Sequence, residues 1–429
     1  MCGESSVTSK MMTAVRAGTI IDGTGKSAVK DAVILIEGPK IVAVGSERDV
    51  KVPQGATLVD GSDKTVMPGL MDMHLHLGTV TDDPTEPNIV EATGKASVSL
   101  RTIYACREAE AYINAGFTTI RDPGGWNIAI GLRNAIAHGL VNGPRVFSAK
   151  VVMHATTPAE SGIMRGGAGV LAREGADGPW QVRAMVRDHI LHDQVDFIKT
   201  LGSGSVSSAV EHFRVRRYTL EELTAMADEA HAYGKFVAVH AYSAPTVRVA
   251  VEAGVDTIEH GPFISDDMEL VKMMVNKGTI WVPTIIVYSN RGLTDPKKTW
   301  IPPFRRGKAQ EVWGNIEKNF RILHKAGVRI AMGTDTARHF IDHGDNAWEL
   351  EWMVKFGMTP MEAIVASTKM GGQALGKPWS EQLGTLEKGK LADLIVLDGD
   401  PLKDITVLQK KDKIKKVMKD GKVVVDRES

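Results

Sequence analysis

PGLMDMHLHLG, residues 68–78, runs a short apolar stretch bounded by Pro-Gly into two histidines, His74 and His76. In an extended chain a spacing of two puts both imidazoles on the same side, which is the geometry for gripping one ion. A strand that ends on such residues belongs to an architecture whose strand ends carry the chemistry. In parallel α/β barrels, side chains at the C-terminal ends of the strands point into the active site.

Seven further β-rich runs follow, each separated from the next by a longer stretch that includes helical patterns: FTTIRD (117–122), RVFSAK (145–150), VDFIKTLG (195–202), KFVAVHAYS (235–243), VDTIEHG (255–261), TIWVPTI (279–285) and RIAMGTDT (329–336). Alternation of this kind predicts parallel α/β units, and eight of them close a barrel rather than an open sheet. Helices are expected over EELTAMADEAHAYG and MEAIVASTKMGGQAL, and Gly116, Gly234, Gly254, Gly278 and Gly327 stand where helices stop. Both ends of the chain differ in texture. AVRAGTIIDGTG, DAVILIEGPKIVAVG and TLVDGSDKTVMPG near the start, and GTLEKGKLADLIVLDGDPLKD and IKKVMKDGKVVVD near the end, are short β runs broken by Gly and Asp. The predicted fold is therefore α/β, a (β/α)8 TIM barrel over 68–381 with a small β-sandwich domain assembled from 12–67 and 382–426.

Composition narrows the function. The 429-residue chain balances 52 Lys and Arg against 52 Asp and Glu, without a long block of either sign. Neither nucleic acid nor a membrane is expected as a partner, and a small-molecule substrate fits better. Two cysteines, Cys2 and Cys106, exclude a disulfide framework and a cysteine-based zinc site. The first residues lack the apolar core of a secretory signal, so a cytoplasmic location is expected. Assembly into a homo-oligomer is also expected, with Trp300, Trp313, Trp348 and Trp352 offering interface surface or filling core or pocket.

Polar residues at the predicted strand ends are the candidate site. Besides His74 and His76 they are Lys199 after strand four, His240 after strand five, His260 after strand six and Asp335 after strand eight. Any one alone reads as a hydrogen-bonding structural residue; their joint placement points to a metal centre. Lys199 is the odd member, since an ammonium has no lone pair to donate. It is either a substrate-binding or salt-bridging lysine, or its amine has become a carbamate able to bridge two ions. For substrate contact the candidates are His154, Tyr242, Arg121, Ser203 (with Ser205) and His339 (with His343). Arg121 would meet a substrate carboxylate, or else a carboxylate inside the barrel. Arg216 and Arg217 would likewise meet a substrate carboxylate, or else belong to a solvated face.

PGLMDMHLHLG, together with FIKTLGSG, VAVHAY, TIEHG and MGTDT, resembles the strand-end signature of the amidohydrolase superfamily, and GTLEKGKLADLIVLDGDPL resembles its C-terminal return. The strings look most like the branch of Xaa-Pro-type dipeptidases, N-acyl-amino-acid carboxypeptidases, ochratoxin-hydrolysing amidohydrolases and phenylurea and thiocarbamate hydrolases. The resemblance implies a two-metal site. His74, His76 and Asp335 would hold the more buried ion, His240 and His260 the more exposed one, and an N6-carboxylated Lys199 would bridge them. Zinc is the first choice of ion, with manganese, cobalt or iron able to use the same ligands. Tyr242 departs from many relatives, which carry a second histidine there.

Two divalent ions sharing a hydroxide make water a competent nucleophile and polarise a carbonyl, with Asp335 moving the proton. The expected activity is hydrolysis of a C–N amide bond in an N-acyl amino acid, dipeptide or xenobiotic amide. The alternative within the same chemistry is an aryl urea or carbamate. Outside it stand a metal-free scaffold and a ring deaminase or isomerase.

Overall fold

A computed structural model describes residues 12–80, 93, 95–156, 175–337 and 340–428. His339 therefore lies outside the described residues.

The chain opens with β1 (Met12–Ile20) and β2 (Val29–Glu37), paired antiparallel from Met12 opposite Glu37 to Ile20 opposite Val29. Their side chains alternate between two faces, as the period of a strand requires. Val15, Ala17, Ile34 and Ile36 pack on one face, and Ala14, Val33 and Leu35 on the other. β3 (Lys40–Ser46), β4 (Thr57–Val59) and β5 (Thr65–Pro68) extend this sheet, and β14 (Leu394–Leu397), β15 (Ile414–Lys419) and β16 (Lys422–Asp426) complete it from the far end of the chain. Hydrogen bonds join them in the order β16-β15-β14-β5-β1-β2-β3, with β4 beside β1. The join between the two ends is the antiparallel pair of β5 and β14.

Between these ends lie the parallel strands, β6 (Leu70–Asp72), β7 (Phe117–Asp122), β8 (Arg145–Ser148), β9 (Ile198–Leu201), β10 (Val237–Ser243), β11 (Thr257–Phe263), β12 (Ile280–Val282) and β13 (Arg329–Ile330). Each of the eight predicted runs overlaps one of them, β11 running two residues past its run. They form a three-stranded sheet, β6-β7-β8, and a five-stranded sheet, β13-β12-β11-β10-β9. Backbone bonds continue past both edges. Met153 N donates to Lys199 O at 2.8 Å beside β8 and β9. Met73 N donates to Met332 O at 3.0 Å and His76 N to Thr336 O at 2.8 Å beside β6 and β13.

Helices cover this parallel set. Leu220–Ala232 begins with a capping box, Thr219 and Glu222 satisfying each other's backbone N–H groups. The predicted helix at 361–375 is two, Pro360–Ala366 and Lys369–Ala374, because Thr368 leaves helical geometry at φ −131° and ψ −88°. Gly278 and Gly327 end their helices in the left-handed region, at φ 71° and 83°, as expected of C-terminal glycines. Trp300, Trp313, Trp348 and Trp352 are partly buried against the main apolar core, with Trp313 and Trp352 meeting edge to face. No described helix is long and apolar enough to cross a membrane.

Candidate metal centre

His74 and His76 continue from β6, and Asp335 follows β13, which the backbone bonds described above set beside it. The three offer ligand atoms that all lie within 4.8 Å of one another. Nε2 of His76 is 3.2 Å and Nε2 of His74 is 3.7 Å from Oδ1 of Asp335. Close backbone approach makes this possible: a Cβ at Gly333 would meet Val282 Cγ1 at 2.3 Å and the His74 backbone at 3.0 Å. His260 on β11 lies close to the same point, its ring 4.8 Å from that of His74 and 4.5 Å from that of His240 on β10. His74, His76, His240, His260 and Asp335 thus form one continuous group.

The backbone is unusual here. His260, Thr284 and Asp335 have positive φ, at 70°, 51° and 52°. Non-glycine residues seldom adopt this region, and such strain persists where the surrounding structure holds it, commonly at functional sites.

Three of the four histidines have a hydrogen-bond partner at the outer nitrogen. His74 Nδ1 is 2.7 Å from Glu259 Oε2, His260 Nδ1 is 2.8 Å from Thr284 Oγ1, and His240 Nε2 is 3.1 Å from Gly204 O. The opposite nitrogen, Nε2 of His74 and Nδ1 of His240, is left as a lone-pair donor when the ring is neutral, as is Nε2 of His260 when Thr284 accepts from its Nδ1. Burial pushes His74, His240 and His260 well below the usual histidine range, with Lys199 charge adding to the effect, so these rings are neutral near pH 7. His76 differs: burial opposes its charge, but Asp335 outweighs that and raises its pKa.

Lys199, on β9, is buried, and its Nζ has no hydrogen-bond partner among the described residues. Burial brings the ammonium down to about 8, against the pull of Glu259 and Asp335. An orphaned buried amine beside five ligand-type side chains fits a group that the chain itself does not supply.

Other candidates fall elsewhere. Arg121 is completely buried: its Nη2 donates to Glu259 Oε1 at 2.7 Å and its Nε to Met73 O at 2.5 Å. It meets an interior carboxylate, the second of its two readings. Ser203 is also buried; its hydroxyl donates to Gly204 O at 2.8 Å and accepts from Tyr242 N at 3.3 Å. His154 is half-buried and hydrogen-bonds to Ala155 O at 2.9 Å. His343, expected near a pocket mouth, is buried between Tyr112 and Glu108. Arg217 is not solvated; it pairs with Glu211 at 2.5 Å. Tyr242 does belong to the cluster, with its ring 4.9 Å from His240 and 5.4 Å from His260, and its hydroxyl hydrogen-bonded to that of Tyr288.

Glu259, Thr284 and Tyr288 were not anticipated. Glu259 had a signal: a carboxylate within the buried run VDTIEHG needs a partner. Thr284 and Tyr288 had none, since their contact with His260 depends on how the residues after β12 turn.

Comparison with known proteins follows the same lines. The amidohydrolase family model matches residues 65–424. The chain belongs to the amidohydrolase family. Ochratoxinase from Aspergillus niger is 32% identical to this amidohydrolase over 436 residues, covering 96% of this chain and 86% of that one. A solved Xaa-Pro dipeptidase with methionine bound in its active site superposes with a TM-score of 0.84 at 33% identity, covering 96% and 99% of the two chains. Phenylurea hydrolase B superposes with a TM-score of 0.78 at 26% identity, covering 97% of each chain. This amidohydrolase is accordingly a hydrolase acting on carbon–nitrogen bonds.

Proposed function

We propose that this amidohydrolase hydrolyses the amide bond of a small molecule, an N-acyl amino acid, dipeptide or xenobiotic amide, at a two-metal site. The barrel expected from the sequence is the scaffold we propose for it: eight parallel strands, β6 to β13, closed by the backbone bonds beside β8/β9 and β13/β6, with the terminal segments 12–67 and 382–426 forming the second domain. The observation that carries the reading is the convergence of His74, His76, His240, His260 and Asp335 around the buried Lys199, whose Nζ has no hydrogen-bond partner among the described residues. His74, His76 and Asp335 would hold one divalent ion and His240 and His260 the other, zinc being the ion proposed, with Lys199 carboxylated to link them.

Bound there, the ions supply Lewis-acid polarisation of the substrate carbonyl and a water acidified toward neutrality. Asp335 does the proton work. Its Oδ1 sits 3.2 Å from Nε2 of His76 and 3.7 Å from that of His74, where it would take the proton of the attacking water and return it to the leaving nitrogen. Tyr242, its hydroxyl bonded to that of Tyr288, would stabilise the charge that develops on the carbonyl oxygen. The similarity to ochratoxinase and to a Xaa-Pro dipeptidase supports an amide substrate, while the similarity to phenylurea hydrolase B favours an aryl urea or carbamate as the second reading.

The test is elemental analysis of the full chain, with turnover of a panel of N-acyl amino acids, dipeptides, ochratoxin-like amides and phenylureas before and after chelation. Two equivalents of zinc and chelator-sensitive cleavage of an amide are expected. Cleavage of ureas alone would move the second reading to the front. No metal uptake, even with added ions and bicarbonate, would overturn the site.

A further inference from the structure

The interior carries a charged pair for which amide hydrolysis has no direct use. Glu259 is completely buried, and each of its oxygens is engaged. Oε1 accepts from Arg121 Nη2 at 2.7 Å and from Thr257 Oγ1 at 2.6 Å. Oε2 faces His74 Nδ1 at 2.7 Å. Arg121 is itself fixed, because its Nε donates to Met73 O and its guanidinium lies over the Phe197 ring at 5.2 Å from the centroid. Three strands therefore meet at one carboxylate: β7 through Arg121, β11 through Glu259, and the end of β6 through His74.

We propose that Glu259, backed by Arg121, is a positioning residue that locks His74 in one ring orientation and one tautomer. The proposal deepens the two-metal reading and rests on it. A buried ion pair alone is weak evidence for any role, since apolar replacement of such a pair is often neutral. What sets this pair apart is that one carboxylate oxygen is directed away from the arginine, at the outer nitrogen of a histidine whose inner nitrogen faces Asp335. With the proton held on Nδ1 by Glu259, Nε2 presents its lone pair toward the ligand group. Without that acceptor, the neutral ring is free to carry its proton on Nε2, which cannot then ligate. Glu259 also immediately precedes His260. Strand alternation would send the two side chains to opposite faces, but the positive φ of His260 breaks it, and both reach His74.

The experiment uses three full-length proteins: wild type, the double variant Arg121→Met/Glu259→Leu, which removes both buried charges together so that neither is left unpaired, and Glu259→Gln, which keeps an acceptor oxygen. Histidine tautomers are read by long-range proton–nitrogen NMR on metal-stripped, nitrogen-15-histidine-labelled protein, with His74 assigned by its loss in His74→Asn. Zinc affinity is read by competition with a chromophoric chelator. The wild type is expected to show His74 as the Nδ1–H tautomer. In the double variant that state is lost, and one zinc equivalent weakens about 10–100-fold while the other is unchanged. Glu259→Gln restores the tautomer and part of the affinity. A folded double variant with the wild-type tautomer and both affinities intact would overturn the proposal. If the wild type takes up no zinc, the metal reading fails, and the tautomer comparison still decides what Glu259 does to His74.

Discussion

The hydroxyl of Thr284 lies 2.8 Å from Nδ1 of His260, and Thr284 reaches it with a φ of 51°. That conformation is held from behind, because Glu349 accepts the N–H groups of Ile285 at 2.8 Å and Ile286 at 2.7 Å. Thr284→Val keeps the branched shape and removes the partner of His260. Activity, as kcat/KM, should fall about 10–100-fold, the usual effect of losing an outer-nitrogen partner of a ligand histidine, with little change in melting temperature. Unchanged activity would mean that the Tyr288 hydroxyl, 3.3 Å from the same nitrogen, suffices to orient the ring.

Lys199 should trade stability for function. In metal-stripped protein its buried ammonium opposes folding, since burial lowers its pKa from 10.5 to about 8. Lys199→Met fills the same space without charge. It should stabilise the stripped protein by up to about 3 kcal/mol at neutral pH and abolish turnover. The sign with pH follows from linkage. Between about 8 and 10.5 the unfolded wild type binds more protons than the folded one, so wild-type stability rises across that window. The advantage of the methionine variant is therefore complete below about pH 8 and fades toward pH 10.5. Urea midpoints for both proteins from pH 7 to 10.5 check this, and a methionine variant less stable than the wild type at pH 7 would count against a buried, unpaired ammonium.

What could be read in the sequence and what could not divide along a physical line. The strand ends were legible because an apolar run closing on His, Lys or Asp is a local pattern, and His74, His76, His240, His260 and Asp335 all meet in one place. The parallel strands were legible for the same reason. Arg121 shows the limit. Its position at a strand end allowed either a substrate carboxylate or an interior one, and the answer lay 138 residues away in Glu259. His343 and Arg217 failed similarly, since burial against Glu108 or Glu211 depends on neighbours that chain order does not reveal.

Arg145 gives a stability test of how the terminal sheet is attached. From β8 it donates to Asp393 at 2.6 Å and to Asp420 at 2.5 Å, residues that flank β14 and join β15 to β16. Arg145→Met strands the buried carboxylate of Asp393. Breaking a buried pair from one side costs about 3–5 kcal/mol, and the lower end, about 3, applies here because Asp420 is well exposed. The readout is the urea midpoint at pH 7. The double variant Arg145→Met/Asp393→Leu, which leaves no lone buried charge there, should recover much of the loss; if both variants melt alike, packing rather than charge pairing holds the sheet in place.

Asp335 carries the heaviest chemical duty proposed, and its backbone makes the choice of variant decisive. At φ 52° an alanine would strain the chain, confusing loss of a carboxylate with loss of geometry. Asparagine tolerates that region better than most side chains and preserves the shape. Asp335→Asn removes proton transfer while keeping an oxygen near His76. A fall in kcat of about 10²–10⁴-fold is expected, the range for removal of a general acid–base, with a much smaller change in KM. Zinc content, measured on the same preparation, separates the two duties of the residue. If zinc is retained and kcat falls, proton transfer is the part lost; if zinc is retained and kcat holds, another group moves the proton, and Asp335 is a ligand alone.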